Sequence, residues 1–349
     1  MNVNRKGWRS LLVVSVVAML VLAACGGGEE TDGSDGDGGG AVEGEIVAIG
    51  SSTVEPIMSI ALEDFAAANE GVGFEVDGPG TGDGFTIFCE DGSDIANASR
   101  PIDDEEAALC EEAGIEYVEL KIGIDGLSVI TSPENADVTC LSFRDLYALL
   151  GPESQGFANW SDASDLAAEV GADFGELHTP YPEASLDITA PGEESGTYGS
   201  FIEIALGDVA EARLEAGAIT EDQVETLRPD YQASADDNVI IENIGGSPSS
   251  LGFVGFAFAD QNADSVKTLE VDGGDGCVAP TAGTIASIEY PISRDLFIYV
   301  NTARAEANPA VVAFVDWLLT DGIGSVEEAD YIPLDETALA DTQAAWDGR

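Results

Sequence analysis

The chain has 349 residues, of which 67 are acidic and 12 basic, and its formal net charge is −55. A surface this acidic repels nucleic acid, so we expect no nucleic-acid partner. The acids are spread along the chain rather than gathered in a tail. This pattern favours a surface adapted to high salt, where the screening length falls to roughly 3 Å at 1 M, over a merely acidic exported protein.

Residues 1–24 have the pattern of a secretory signal peptide. Three cations within residues 5–9 precede the apolar run 11–22, and small residues follow it. Cys25 directly follows Leu-Ala-Ala, which resembles the bacterial lipobox and predicts cleavage before Cys25 with lipid on its thiol. The alternative is a plain signal peptide with an incidental cysteine. Residues 25–44, rich in Gly, Asp, Glu and Ser, predict a flexible acidic tether.

The body that follows, from Glu45 onward, is long enough for two domains with separate cores. Its four cysteines are an even number, which in an exported chain predicts disulfides. Three pairings are possible. Cys89 and Cys110 flank one strand-and-helix unit, so we favour that pair, which leaves Cys140 with Cys277. No CxxC occurs and the chain has one histidine, so we expect no metal site and no cofactor.

The first predicted elements form a βαβ unit. Residues 45–49 and 74–77 predict strands, and residues 57–65 carry the apolar face of a helix between them. Ser52 and Glu55 have the spacing of a capping box at the start of that helix. In such parallel sheets, ligands collect at the carboxyl ends of strands, where helices begin.

A second helix start follows the extended segment 94–98. Pro101 and the acids of the predicted helix 103–109 are helix-start signals. Ser99 and Arg100 therefore lie where free backbone N–H groups point outward, which is a natural anion site. The alternative is an ordinary helix cap with an exposed arginine.

An acidic residue interrupts the next apolar region. Residues 115–120 and 122–130 predict two strands, the second long enough to pass between domains. Asp125 lies inside the second one, and a carboxylate in an apolar strand needs a partner. The alternative is an acid in a bulge or turn.

A third helix start comes late in the chain. Residues 186–190 predict a strand, and Ser195, Gly196 and Thr197 lead into the predicted helix 198–206. With 51–53 and 99–100, this makes three small polar loops at helix starts, which together predict an oxyanion pocket. The other predicted elements are a helix over 142–150, an exposed helical segment over 207–228, a helix over 236–244, strands over 252–258 and 290–300, and a helix over 309–319.

Six motifs, in their order and spacing, resemble the PstS-type phosphate-binding lipoproteins of high-affinity phosphate ABC transporters. They lie at 50–53, 78–85, 94–102, 125–126, 195–197 and 291–300, and they cover nearly all of the body. The resemblance implies an α/β, two-lobed periplasmic-binding-protein-like (type II) fold with two hinge strands. Lobe I would comprise residues 45–127 plus 255–349, lobe II residues 128–254, and phosphate would be buried between them.

The resemblance also implies a site and a role. The phosphate contacts would be Ser52, Thr53, Ser99, Arg100, Asp125, Ser195, Gly196 and Thr197. The chain would be a monomeric binding protein, not an enzyme, anchored on the extracytoplasmic face of the membrane and passing phosphate to permease subunits. One departure concerns residues 191–194, Pro-Gly-Glu-Glu, where some members carry an arginine. We therefore expect Arg100 to be the sole charge partner of the anion.

Asp125 favours phosphate over sulfate. A protonated phosphate donates a hydrogen bond to a carboxylate, whereas sulfate at neutral pH cannot. A binder of another tetrahedral oxyanion, such as sulfate or molybdate, remains the alternative. An exported phosphate-ester hydrolase is less favoured, because the only histidine, His178, lies in a loop-like region and no GxSxG elbow occurs.

Overall fold

A computed structural model describes residues 42–193 and 195–349. The predicted signal peptide, Cys25 and most of the predicted tether lie outside these residues. The end of the tether was predicted wrongly, since Glu43 and Gly44 already belong to the first strand. Within the described ranges, no helix combines the length and the apolar character needed to cross a membrane.

The strands of the described residues form one ten-stranded sheet and one three-stranded sheet. They are β1 (Glu43–Gly50), β2 (Gly71–Asp77), β3 (Ile95–Ala98), β4 (Tyr117–Thr131), β5 (Cys140–Ser142), β6 (Asp187–Ala190), β7 (Gln232–Ala233), β8 (Ser250–Gly255), β9 (Lys267–Thr268), β10 (Glu270–Asp272), β11 (Cys277–Val278), β12 (Ser293–Asn301) and β13 (Ile332–Pro333). The large sheet runs β2-β1-β3-β12-β4-β8-β6-β7, with β9 and β13 also paired to β4. The small sheet runs β11-β10-β5.

Helices pack against both faces of this sheet system, as the predicted α/β fold requires. They are α1 (Glu55–Ala68), α2 (Thr81–Cys89), α3 (Asp104–Ala113), α4 (Phe143–Leu150), α5 (Ser164–Val170), α6 (Gly196–Phe201), α7 (Gly207–Glu215), α8 (Asp237–Gly246), α9 (Phe256–Gln261), α10 (Ala282–Ala286), α11 (Thr302–Ala307), α12 (Pro309–Leu318), α13 (Ser325–Glu328) and α14 (Glu336–Asp347). A π-helical turn, Ile202–Leu206, joins α6 to α7.

The N-terminal βαβ unit is confirmed, because β1 pairs in parallel with both β2 and β3. The predicted capping box at the start of α1 is wrong. The residue before the helix is Val54, and no side chain caps the helix there. The turn instead uses Ser51, whose hydroxyl accepts the N–H of Thr53 at 3.2 Å and whose carbonyl accepts the N–H of Glu55 at 3.0 Å. Ser52 is left exposed to solvent.

Other predicted boundaries shift for identifiable reasons. The two strands predicted over 115–130 are one 15-residue strand, β4, because Lys121 interrupts the apolar pattern but still pairs with Phe297 of β12, with a one-residue register shift beside it. The strand predicted over 252–258 ends at Gly255, and its apolar remainder begins α9. A short apolar run has no periodicity that separates strand from helix. The exposed helical segment predicted over 207–228 continues as α-helix only to Glu215.

Two large hydrophobic cores lie on either side of the middle of the large sheet. One contains Ile46, Leu120, Leu296 and Phe314. The other contains residues such as Leu127, Trp160, Phe201, Phe253 and Ile292. The strand β4 supplies residues to both cores, Leu120 and Ile122 to the first and Ile124 and Leu127 to the second. The chain crosses between the cores again where Ile292 leads into β12.

The predicted disulfide pairing is confirmed. Cys89 is bonded to Cys110, and Cys140 is bonded to Cys277. The first bond joins α2 to α3, and the second joins β5 to β11, the two outer strands of the small sheet.

The close approach of α2 to the end of β1 gives the first testable prediction. A methyl group on Gly84 would collide with the Cα of Gly50 and lie 3.1 Å from the carbonyl oxygen of Ile49. We expect Gly84→Ala to lower the free energy of unfolding by about 1–3 kcal/mol, because rigid backbone must move to make room. Chemical denaturation monitored by circular dichroism measures this change.

Gly82→Ala is the matched control in the same helix. A methyl group there meets only atoms 3.8 Å away, so we expect unchanged stability or a gain of up to about 1 kcal/mol. Equal losses in both variants would contradict the packing of α2 on β1 described above.

Candidate functional site

An ion pair at the crossing of the two cores forms the centre of the candidate site. The strands β12 and β4 are antiparallel, and their register places Arg294 directly opposite Asp125. The Nε of Arg294 donates to Asp125 Oδ2 at 3.3 Å. The Asp125 side chain is 1% exposed and that of Arg294 13%. A carboxylate this deeply buried is costly without a cation, and Arg294 is the partner that Asp125 was expected to need.

Two hydroxyl groups surround the same guanidinium. The Nη2 of Arg294 donates to Thr53 Oγ1 at 3.0 Å and to Ser200 Oγ at 3.1 Å. The two hydroxyl oxygens are 3.3 Å apart. Thr53 lies in the turn before α1, whereas Ser200 lies in α6. One arginine therefore contacts hydroxyl groups from the turn before α1 and from α6, on the two sides of the crossing.

A second carboxylate shares Arg294. Glu203 Oε2 lies 2.7 Å from Arg294 Nη1, and the Glu203 side chain is 55% exposed. Glu203 stands in the π-helical turn after α6, a rare conformation that often marks functional sites. With Asp125, Arg294 and Glu203 all ionised, the cluster carries one net negative charge.

Burial is the largest influence on the pKa of Asp125 and on that of Tyr331 nearby. Loss of water raises the pKa of Asp125 above its usual value, although Arg294 and a hydrogen bond from Ser200 oppose the change. Glu203 adds to the increase, since its charge lies close by. Burial also raises the pKa of Tyr331 well above its usual value, and the charge of Asp125 contributes. The Tyr331 hydroxyl lies beside Gly196, where an added Cβ would be 3.2 Å from it.

The predicted anion residues Ser99 and Arg100 form a neighbouring group. Ser99 Oγ is 3.1 Å from Thr81 Oγ1. Arg100 makes a two-pronged ion pair with Glu106, at 2.7 and 2.8 Å, and its side chain is 41% exposed. The hydrogen bonds that Arg100 donates to Glu106 raise the pKa of Arg100, and the charge of Glu203 also contributes. Glu203 therefore acts electrostatically on the arginines of both groups.

The structure distributes the eight predicted contact residues over four places. Thr53 and Asp125 belong to the Arg294 cluster, and Gly196 borders it next to Tyr331. Ser195 caps α6, since its hydroxyl accepts the N–H of Thr197 at 3.2 Å. Ser52 is exposed beside the turn that holds Thr53. Ser99 and Arg100 form the neighbouring group, and the predicted helix start after them is confirmed by the capping box of Asp103 and Glu106.

Sequence reasoning missed Arg294, Ser200, Glu203 and Tyr331. It expected Arg100 to be the sole cation, yet Arg294 is the arginine that is buried against Asp125. The sequence does contain a sign that Arg294 is special, because this charged residue interrupts a predicted apolar strand just as Asp125 does. Two opposite charges in two apolar strands predict a pair only when the strands are neighbours in register, and their pairing was not known. Ser200 and Glu203 lie within predicted helix and carried no signal of their own.

Comparison with known proteins gives consistent matches. The model of the PBP superfamily domain matches residues 35–322. Protein SphX of a Synechocystis strain is 34% identical over 291 residues, which are 83% of this chain and 78% of that protein. Phosphate-binding protein PstS of Staphylococcus saprophyticus is 29% identical over 345 residues, 98% of this chain and 95% of that protein.

A solved structure agrees with these matches. The crystal structure of a possible phosphate binding protein from Planctomyces limnophilus has a TM-score of 0.77 and 31% sequence identity, and the match covers 88% of this chain and 99% of that one.

Removing the cation from the buried pair gives the second prediction. We expect Arg294→Met to lower the free energy of unfolding at pH 7 by about 3–5 kcal/mol, because Asp125 remains buried without a counter-charge. Urea denaturation of the ligand-free chain measures the change. In the control, Asp125→Asn combined with Arg294→Met, much of the lost stability should be recovered, since no buried charge is left unpaired and Glu203, which also loses its partner, is largely exposed. A double variant as unstable as the single one would show that the pair does not carry this energy.

Proposed function

Because the chain belongs to the PBP superfamily and, within it, to the PstS-type phosphate-binding proteins, we propose that it captures inorganic phosphate and delivers it to an ABC permease. The observation that carries the proposal is the buried pair of Arg294 and Asp125, with the hydroxyls of Thr53 and Ser200 on the same guanidinium. The names of the relatives indicate phosphate as the ligand, and this cluster contains the hydrogen-bonding groups that phosphate needs.

The cluster combines donors with one buried acceptor. The guanidinium and the hydroxyls donate to anionic oxygens, and arginine is well suited to phosphate oxygens. Asp125 accepts a hydrogen bond only from a ligand that carries a proton. Phosphate at neutral pH carries at least one proton, whereas sulfate carries none, so sulfate would leave a buried carboxylate facing an anion.

We place the anion among the eight predicted contacts together with Arg294. Thr53, Asp125 and Gly196 lie in or beside the Arg294 cluster, while Ser99 and Arg100 would close on the anion from the neighbouring group. Ser195, Gly196 and Thr197 would contact the anion from the start of α6, where the Ser195 hydroxyl already accepts the N–H of Thr197. This arrangement needs no second arginine ahead of Ser195.

The two cores support a two-lobed reading, in which phosphate is bound where β4 crosses between them. The sequence predicted lobe I as residues 45–127 plus 255–349 and lobe II as 128–254. Leu269, Val271 and Ile285 pack in the same core as Trp160 and Phe253. We therefore propose that the second crossing lies between Ile292 and Leu296, so that Asp125 and Arg294 lie side by side on the two crossing strands.

The remaining parts of the role rest on the sequence. The signal pattern and the lipobox at Cys25 support an exported, lipid-anchored protein on the outer face of the membrane. We propose a monomer that presents its ligand to the permease and performs no chemistry on it. A match to a binding-protein family over most of the chain supports this role over that of a hydrolase.

The selectivity of the site gives the third prediction. We expect Asp125→Asn to narrow the preference for phosphate over sulfate by roughly tenfold or more, since the buried acceptor that rejects an unprotonated ligand is replaced by an amide that also donates. Titration calorimetry with each anion at pH 7 measures the ratio of the two dissociation constants.

Asp64→Asn is the control for that experiment, because Asp64 lies on the exposed face of α1. Its selectivity should equal that of the unmodified chain. If the Asp125 variant keeps full selectivity, the proton-donor argument fails. Tighter binding of sulfate or molybdate by the unmodified chain would favour the other-oxyanion reading, and turnover of a phosphate ester would favour a hydrolase.

The carboxylate that shares Arg294 gives the fourth prediction. Glu203 competes with an anion for the guanidinium, so Glu203→Gln should bind phosphate more tightly. Because Glu203 is largely exposed, we expect a modest gain of about two- to fivefold, in line with partly exposed ion pairs. Glu211→Gln, an exposed acid on α7, is the matched control for the loss of one charge. Equal gains in both variants would assign the effect to net charge rather than to Arg294.

A further inference from the structure

A cluster of metal-ligating groups lies on the small sheet, in a part of the chain that the phosphate site does not use. Each of the three strands of this sheet contributes one group. Cys140 begins β5, Asp272 ends β10 and Cys277 begins β11. His178, the only histidine of the chain, comes from the loop ahead of β6 and completes the cluster.

The imidazole of His178 faces all three of the other groups with one nitrogen. Its Nε2 lies 3.6 Å from Cys140 Sγ, 3.7 Å from Cys277 Sγ and 3.5 Å from Asp272 Oδ2. In a tetrahedral zinc site with Zn–S near 2.3 Å and Zn–N near 2.0 Å, nitrogen and sulfur ligands are about 3.5 Å apart. The histidine is therefore already at ligand spacing from both sulfurs. Only the two sulfur atoms, which are joined by the disulfide bond, are too close together to be separate ligands of one zinc ion.

Hydrogen bonds hold these groups in place. Asp145 accepts the backbone N–H of His178 at 3.2 Å, and Asp272 Oδ2 accepts that of Glu176 at 2.9 Å. Asp272 is 1% exposed, and its other oxygen accepts two N–H groups of the turn that leads to Cys277. Fixed ligands lower the ordering cost of binding an ion.

The cluster is open to solvent. Cys277 is exposed, and a pocket of about 280 Å³ is lined by Cys140 and His178. The other disulfide lacks both features, because Cys89 is 3% and Cys110 0% exposed within an apolar cluster. The chain thus contains one accessible disulfide beside a histidine and one sealed disulfide that serves as an internal comparison.

We propose that Cys140, Cys277 and His178 form a redox-gated site for Zn²⁺, closed while the disulfide is intact and opened by its reduction. Two thiolates and one imidazole are typical zinc ligands, and the ligand atoms of these three residues all lie within 4.8 Å of one another. No local sequence pattern indicates the site, because His178 is 38 residues from Cys140 and 99 residues from Cys277.

The opening step requires a reductant that is a dithiol. One of its thiolates attacks the exposed Cys277 Sγ, and Cys140 Sγ leaves as a thiolate. The second thiolate of the reductant then displaces Cys277 Sγ and closes a cyclic disulfide, so the two electrons come from the reductant. The two protons of the dithiol pass to the cysteines and are released to solvent when Zn²⁺ binds both thiolates.

The test uses a full-length chain with Cys25→Ser, Cys89→Ser and Cys110→Ser, in which Cys140 and Cys277 are the only thiols. It is reduced with dithiothreitol, desalted without oxygen and titrated with Zn²⁺ against a chromophoric chelator in high salt. We expect one Zn²⁺ per reduced chain beyond what the oxidised chain binds, and a thiolate charge-transfer band with Co²⁺. Adding His178→Ala should weaken Zn²⁺ binding by roughly tenfold or more.

The oxidised chain is the control for zinc held by surface acids, and phosphate binding checks that each variant is folded. If the triple variant does not fold, the unmodified chain is reduced without denaturant, so that the buried Cys89–Cys110 bond stays closed, and titrated in the same way. Equal Zn²⁺ binding by the reduced and oxidised chains would overturn the proposal. Binding that is unchanged by His178→Ala would also overturn it.

Discussion

The buried ion pair between Arg294 and Asp125 is the interaction on which the candidate site depends. In buried ion pairs the cost of removing both charges from water often exceeds the energy of their attraction, so a well-packed apolar pair is often as stable or more stable. We therefore propose that the value of the pair lies in recognition of the ligand. It holds a guanidinium and a proton acceptor next to each other on neighbouring strands, with the hydroxyls of Thr53 and Ser200 on the same guanidinium. A phosphate oxygen and a phosphate proton need these two kinds of partner.

The pair also explains how so acidic a chain can hold an anion. The net charge of −55 opposes the approach of phosphate, and high salt weakens this repulsion because it is screened within a few ångströms. Near the candidate site, two arginines set the balance of charge, and each forms an ion pair with a glutamate. Arg294 pairs with Glu203, and Arg100 pairs with Glu106. Because these carboxylates differ in exposure, 55% against 11%, Glu203 is the one that can yield to a ligand at small cost.

Much of this organisation can be predicted from the sequence. The remaining predictions were wrong or missing for physical reasons. Local patterns predicted the βαβ unit, the start of α3 and the need of Asp125 for a partner, because each depends on nearby residues. The partner itself depends on the pairing of β12 with β4, which brings residues 169 apart into contact. The same limit hid Ser200 and Glu203 within a predicted helix. The capping box at Ser52 failed because the turn begins one residue earlier, at Ser51. The proposed zinc site of Cys140, Cys277 and His178 could not be predicted for the same reason, because its residues are far apart in the sequence.

A crystal structure of the chain with bound phosphate tests the central claim most directly. We predict a phosphate within hydrogen-bonding distance of Arg294 and of Asp125, with its protonated oxygen directed at the Asp125 carboxylate and the contact of Arg294 to Glu203 lengthened. A phosphate bound at Arg100 alone, with the Arg294 cluster unchanged and out of contact with it, would contradict the account.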